Sequence, residues 1–222
     1  DDTINGGAGD DLICGDDEDG ATGRVDQLTL QWTEALPAGT ALGATQTVAV
    51  DGMNVTIGFA QEDQGATADG EGGVDNTSTT TLSFASNDAA YGDEVQDVSF
   101  RINDIDNGTD ADDHIDIVTV RAYNAAGEEV AVTITAESGA QIVNGNTVTG
   151  GVEHTDGVTP AAQAGSVLFE IAGPVARIEI DYDNGETTDQ RVDVSDINFF
   201  TTASEGTSEA GNDVLNGDAG DD

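Results

Sequence analysis

The stretch TVAVDGMNVTIGFA, residues 47–60, decides the fold of this chain. Val48 and Val50 alternate with small or polar neighbours, Asp51-Gly52 interrupts, and Met53, Val55, Ile57 and Phe59 alternate again. Period-two alternation marks a half-buried strand, and a two-residue Asp-Gly between two such runs marks a hairpin. The same rhythm recurs on either side: Leu28, Leu30 and Trp32; Val98, Phe100 and Ile102; Val118 and Val120; Val167 and Phe169. Asn124-Ala125-Ala126-Gly127 reads as a turn before Val130, Val132 and Ile134. Ile178, Ile180 and Tyr182 alternate against outward Arg177, Glu179 and Asp181. No stretch repeats apolar residues at helical spacing for three turns. The expectation over residues 24–202 is therefore a jelly-roll-type β-sandwich of about nine or ten short strands. Residues 61–76 and 150–163 read as long loops. In the last strand Val192 and Val194 share one parity and Ile197 and Phe199 the other, so a bulge that reconciles them is expected near Ser195-Asp196.

Charge sets the second constraint. The 222 residues include 45 acidic side chains, five arginines and no lysine, for a formal net charge of -40. Five cations cannot pair 45 carboxylates, so the charge calls for salt or bound divalent cations. A polyanion repels nucleic acid and anionic membranes, which excludes both as expected partners. No run of about 18 apolar residues suggests membrane insertion, and no signal peptide is visible. The single cysteine, Cys14, rules out an internal disulfide and reads as a bystander.

The two ends share a phrase that the middle lacks. Gly6, Gly7, Ala8, Gly9, Asp10, Asp11, Leu12, Ile13 and Cys14 fit every fixed position of G-G-x-G-x-D-x-U-x, where U is a large apolar residue. Asp2-Thr3-Ile4-Asn5 is the tail of a preceding copy. Residues 210–216 give another partial copy, and 217–222 begin a further one with Asp218 in place of the second glycine. The pattern departs at residues 15–20, where glycines are replaced and no apolar residue follows. These ends resemble the calcium-binding nonapeptides of repeats-in-toxin (RTX) proteins. The resemblance implies short parallel β-roll segments at 1–20 and 208–222, with the sandwich inserted between them and further repeats flanking the chain in a longer parent. It also implies Ca²⁺ ligands: the carboxylates of Asp2, Asp11, Asp213 and Asp222, with backbone oxygens of Gly6, Gly7, Ala8 and Gly9. If the termini of the insert lie side by side, the two segments would stack as one roll.

The densest acidic cluster, NDIDNGTDADDHID at residues 103–116, follows a predicted strand. It fails the EF-hand test, since Gly108 takes the fifth position and no glutamate stands at the twelfth. A non-EF calcium loop and a solvated acidic loop are both open. For the first, Asp104 and Asp106 are the candidate ligands, with Asp196 a remote partner. His114 and His154 have no third nitrogen or sulfur ligand at zinc spacing. H-E-x-x-H and G-x-S-x-G are absent. Trp32, Tyr91 and Tyr123 are candidates for stacking on a sugar ring, although the alternation of Trp32 with Leu28 and Leu30 favours the core. Arg101 and Arg121 are scarce cations on strands.

These observations point to a non-catalytic, calcium-binding module that recognises polysaccharide or a cell-surface glycan, and the RTX resemblance implies that it is secreted and extracellular. A structural spacer in a large RTX adhesin is the alternative. A polysaccharide-active enzyme ranks third, for want of any recognisable constellation.

Overall fold

Asp51 and Gly52 take φ of 39° and 95°, the left-handed pair that a two-residue hairpin turn requires. The turn joins β3, Gln46–Val50, to β4, Met53–Gln61, in the register Val50 opposite Met53 and Val48 opposite Val55. The structure is a computed structural model. It describes residues 3–5, 25–35, 45–61, 78–108, 114–136, 139–152, 165–185, 192–204 and 214–216.

Two antiparallel sheets carry the fold. The larger runs in the order β10-β11-β7-β13-β5-β4-β3, with β8 also on β7. Its other strands are β5 (Ser78–Ser86), β7 (Asp116–Tyr123), β8 (Glu129–Val130), β10 (Gln141–Asn144), β11 (Thr147–Gly150) and β13 (Arg177–Asn184). The smaller runs β2-β15-β6-β12-β9, with β14 also on β6. Its strands are β2 (Gln27–Leu30), β6 (Tyr91–Asn103), β9 (Thr133–Thr135), β12 (Val167–Ile171), β14 (Asp193–Val194) and β15 (Ile197–Ala203). One short helix, α1 (Trp32–Ala35), follows β2.

Alternation decides which face is buried. Val55 and Ile57 on β4, Leu82 on β5, Val118 and Val120 on β7, and Ile178 and Ile180 on β13 turn inward from the larger sheet. Leu30, Phe100, Ile102, Phe169, Ile197 and Phe199 meet them from the smaller one. Phe84 of β5 and Phe199 of β15 pack edge-to-face with ring centroids 5.3 Å apart, which joins the two sheets. Within the smaller sheet Phe100 stacks on Phe169 at 5.5 Å. Each such side chain contributes roughly 1.5–3 kcal/mol by leaving water. The sandwich is thus the answer to a sequence whose strands each have one apolar face.

The expected parity change is real and sharper than a bulge. The segment divides into β14, which pairs with β6 through Asp193–Asn103 and Val194–Ile102, and β15, which pairs with β6 and β2. Ser195 bridges the break: its N–H donates to Arg101 O, and its Oγ accepts from Arg101 N–H.

The β-roll expectation is corrected by the pairing pattern. Every ladder in the two large sheets is antiparallel, and the parallel pairing among the described residues is one short ladder, β1 (Thr3–Asn5) with β16 (Val214–Asn216). Its register sets Thr3, Ile4 and Asn5 opposite Val214, Leu215 and Asn216. A roll winds successive parallel turns on one another, whereas among the described residues these two three-residue strands pair with each other alone. The resemblance to RTX proteins therefore fails at the level of topology, and the fold is an all-β sandwich of two antiparallel sheets. The glycine turns of the nonapeptides lie outside the described residues.

Candidate functional site

Two places on the sandwich concentrate chemistry. The first is a buried polar knot below the acidic loop. The chain leaves β6 through Asp104, at φ 66°, and returns by a bridge between Asn107 and Ile115. Asp106 N–H donates to Asp116 Oδ2 at 3.0 Å, and Asp116 N–H donates to Asp106 O at 3.0 Å. His114 Nε2 and Asp106 Oδ1 share a hydrogen bond of 2.6 Å. Tyr182 O–H, from β13, donates to Asp116 Oδ1 at 2.8 Å. A glycine at position 150 permits this packing, because a Cβ there would sit 1.8 Å from Asp106 O.

Asp106, His114 and Asp116 are 4 %, 5 % and 1 % exposed. Burial pushes the Asp116 carboxyl up to about 6, against the pull of the Asp106 N–H, the Tyr182 hydroxyl and His114. The three residues offer ligand atoms within 4.8 Å of one another, so the set can hold a divalent metal ion. Two carboxylates with an imidazole suit a borderline ion such as zinc better than calcium, which takes six to eight oxygens. Buried this deeply, the side chains have no open face for a substrate. Among the described residues there is no catalytic cluster.

The second place is the outward face of the larger sheet. Register places Tyr123 beside Arg177, Arg121 beside Glu179 and Thr119 beside Asp181 on β7 and β13. The next strand, β5, sets Ser83, Thr81 and Thr79 against Arg177, Glu179 and Asp181. Thr56 and Gly58 on β4 follow. Arg121 and Asp181 form an ion pair, and Thr79 Oγ1 donates to the second oxygen of Asp181 at 2.7 Å. Arg177 bonds Glu179 at 2.8 Å and lies 4.4 Å over the Tyr123 ring, whose hydroxyl donates to Glu179 at 3.3 Å. A guanidinium over a ring is held by the quadrupole of the aromatic face. The hydrogen bond from Asp181 holds the Arg121 guanidinium above its usual range, and burial followed by Glu179 pushes the Tyr123 phenol up. The Arg121 guanidinium stays charged and the Tyr123 phenol stays neutral at physiological pH.

Of the sequence candidates, Tyr123 alone belongs to this face. Tyr91 is 4 % exposed, and its hydroxyl donates to Asp26. Trp32 packs against the core, and its indole N–H donates to Ser195 O at 2.7 Å. Asp106 joins the buried knot with two residues that sequence reasoning did not select as ligands, His114 and Asp116. Spacing could have suggested them, since Asp116 opens β7 and His114 stands just ahead of it in the same acidic run. Asp104 is not one of the three grouped residues. Asp196 is exposed, and its Oδ1 accepts from Trp32 N–H at 3.1 Å, so it serves helix α1. Asp2, Gly6, Gly7, Ala8, Gly9, Asp11, Asp213 and Asp222 lie outside the described residues.

No helix among the described residues is long and apolar enough to cross a membrane. No family model matches the chain. No curated protein matches it either. Among solved structures, a similarity is found to the glucan-binding protein C of Streptococcus mutans, a protein described as mediating adherence. The identity is 10 % and the TM-score 0.36, over 71 % of this chain and 55 % of that one. The chain thus spans little more than half of that protein, and a score this low transfers nothing.

Proposed function

We propose that this chain is a non-catalytic adhesion module that binds a polysaccharide or cell-surface glycan across the outward face of its larger sheet. The observation that carries this is the array Tyr123, Arg177, Glu179, Arg121 and Asp181, set on adjacent strands beside the small side chains Ser83, Thr81 and Thr79. Sugars are recognised by a flat apolar surface ringed with fixed donors and acceptors. Tyr123 and the Arg177 plane supply the surface. Glu179 and Asp181 accept from hydroxyls, while the guanidiniums donate to them. The low neighbours on β5 and β4 leave room for a chain lying along the sheet. Donors and acceptors already held by one another lose little conformational entropy on binding.

The metal half of the reading is that a divalent ion enters the Asp106, His114 and Asp116 set. Calcium is proposed for the oxygen-only ligands Asp2, Asp11, Asp213 and Asp222, on ligand hardness. An extracellular setting suits both, because a chain of net charge -40 gains most from free divalent cations.

Affinity electrophoresis of the full chain in gels containing plant and bacterial polysaccharides tests the binding half. Retardation by at least one polymer is expected, weakened about tenfold or more by Tyr123→Ala and by Arg121→Ala. Retardation that both variants retain in full would remove the site from this face.

A further inference from the structure

Resting on the reading just given, we infer that the ligand of this face is an uncharged polysaccharide, and that polyanionic glycans are rejected. The argument is one of local charge. Three arginines lie among the described residues, Arg101, Arg121 and Arg177. Two of them stand on this face, and each is already matched: Arg121 by Asp181 and Arg177 by Glu179. The two positive and two negative charges cancel. The outward residues on β4, β5 and β11 and at Thr119, namely Thr56, Thr79, Thr81, Ser83, Thr147 and Thr119, carry none, and Glu129 of β8, opposite Tyr123, adds a further negative charge. The next outward residue of β13, Asp183, is exposed and acidic.

A sulfate or uronate on a sugar would need a guanidinium to itself. To reach one it would have to displace Asp181 or Glu179, leaving that carboxylate unpaired beside the incoming anion. It would also approach a chain of net charge -40. Like charges set against each other at an interface select against the wrong partner. Hydroxyl pairs face no such barrier. Each carboxylate–guanidinium pair presents an acceptor next to a donor, the pattern that a pair of adjacent hydroxyls completes. From Arg177 to Asp181 the array runs four residues along β13, about 14 Å at roughly 3.4 Å per residue. That is the length of a short run of sugar units, and the site is an open face. An internal stretch of a linear, uncharged chain fits it.

The test uses polymers matched in backbone and different in charge: dextran against dextran sulfate, and hydroxyethylcellulose against carboxymethylcellulose. Binding of the full chain to each is measured at about 20 mM and about 500 mM NaCl, conditions that span weak to strong screening. The inference expects an uncharged member to bind with an affinity that changes less than about twofold between the two salts, and its charged counterpart to bind at least about tenfold more weakly at low salt. A charged member binding as tightly as its neutral counterpart would overturn the inference and leave the site in place. No binding to any of the four, nor to the wider set of polysaccharide gels, would overturn the reading it rests on. A double variant, Glu179→Gln with Asp181→Asn, frees both guanidiniums on an exposed surface. It is expected to lose the neutral polymer and gain dextran sulfate at low salt, and failure to gain it would count against the charge argument.

Discussion

Asp116 is the residue whose chemistry departs furthest from the ordinary. Its carboxyl is pushed from 3.8 to about 6 by burial. A group whose pKa is higher folded than unfolded binds more protons when folded between those two values, so stability falls as pH rises through that window. The shift corresponds to roughly 3 kcal/mol at about 1.4 kcal/mol per pH unit. Chelated protein should therefore melt higher near pH 4 than near pH 6.5 as far as this group is concerned, and Asp116→Asn should flatten that part of the profile of melting temperature against pH. An identical slope in the variant would assign the dependence to other carboxylates. Gly150→Ala places a methyl 1.8 Å from Asp106 O. Backbone meets backbone there, so a loss of roughly 2–4 kcal/mol is expected in urea unfolding. Little of this was legible in the sequence. Asp106 could be selected because it stood in an acidic run, but Asp116 was not, and the Tyr182 hydroxyl that binds Asp116 is on a strand 66 residues away. His114 looked like a histidine without company, because its partners are carboxylates and not the nitrogen or sulfur ligands of a zinc motif.

Elements were read more easily than residues where apolar alternation was strong. The β3–β4 hairpin follows from Val48, Val50, Met53, Val55 and Ile57 around a turn that needs left-handed backbone. β5 went unread although it lies between β13 and β4 in the larger sheet. Its sequence STTTLSFAS shows only Leu82 and Phe84 as large apolar residues, and Thr79, Thr81, Ser83 and Ala85 make up its outward face. Threonine is a good strand former, yet hydrophobic periodicity does not register it. The hairpin of β10 and β11 escaped for a similar reason, since Ile142 and Val143 are both exposed. At the other edge, Trp32 left the strand alternation for α1, where Asp196 accepts the first N–H. Asp196→Ala should cost about 0.5–2 kcal/mol, the usual scale for a lost cap, with no change in the calcium stoichiometry found by calorimetry. A lost calcium equivalent would instead restore Asp196 as a metal ligand.

At the scale of the whole molecule, composition foretold the class and misled about the ends. Glycine and aspartate at both termini suggested a wound roll, whereas the described terminal pairing is a single parallel ladder of three residues per strand. Motif matching registers local turn chemistry, while a roll also needs successive turns to stack, which two short fragments cannot guarantee. The charge argument is independent of that topology. With 45 acidic residues and five arginines, self-repulsion falls as ions screen or bind. Melting temperature should rise with NaCl, and rise further with millimolar CaCl₂ at equal ionic strength. Equal effects of the two salts would leave screening as the whole explanation.

The central claim is that glycan binding occupies the outward face of β7 and β13. Amide chemical-shift mapping of the ¹⁵N-labelled full chain, titrated with short oligosaccharides cut from whichever polymer retards it in gels, tests that most directly. The account predicts shifts concentrated at Thr119, Arg121, Tyr123, Arg177, Glu179 and Asp181, with smaller ones at Thr79, Thr81 and Ser83. Shifts confined to the smaller sheet or to the chain ends, with these amides unmoved, would contradict it.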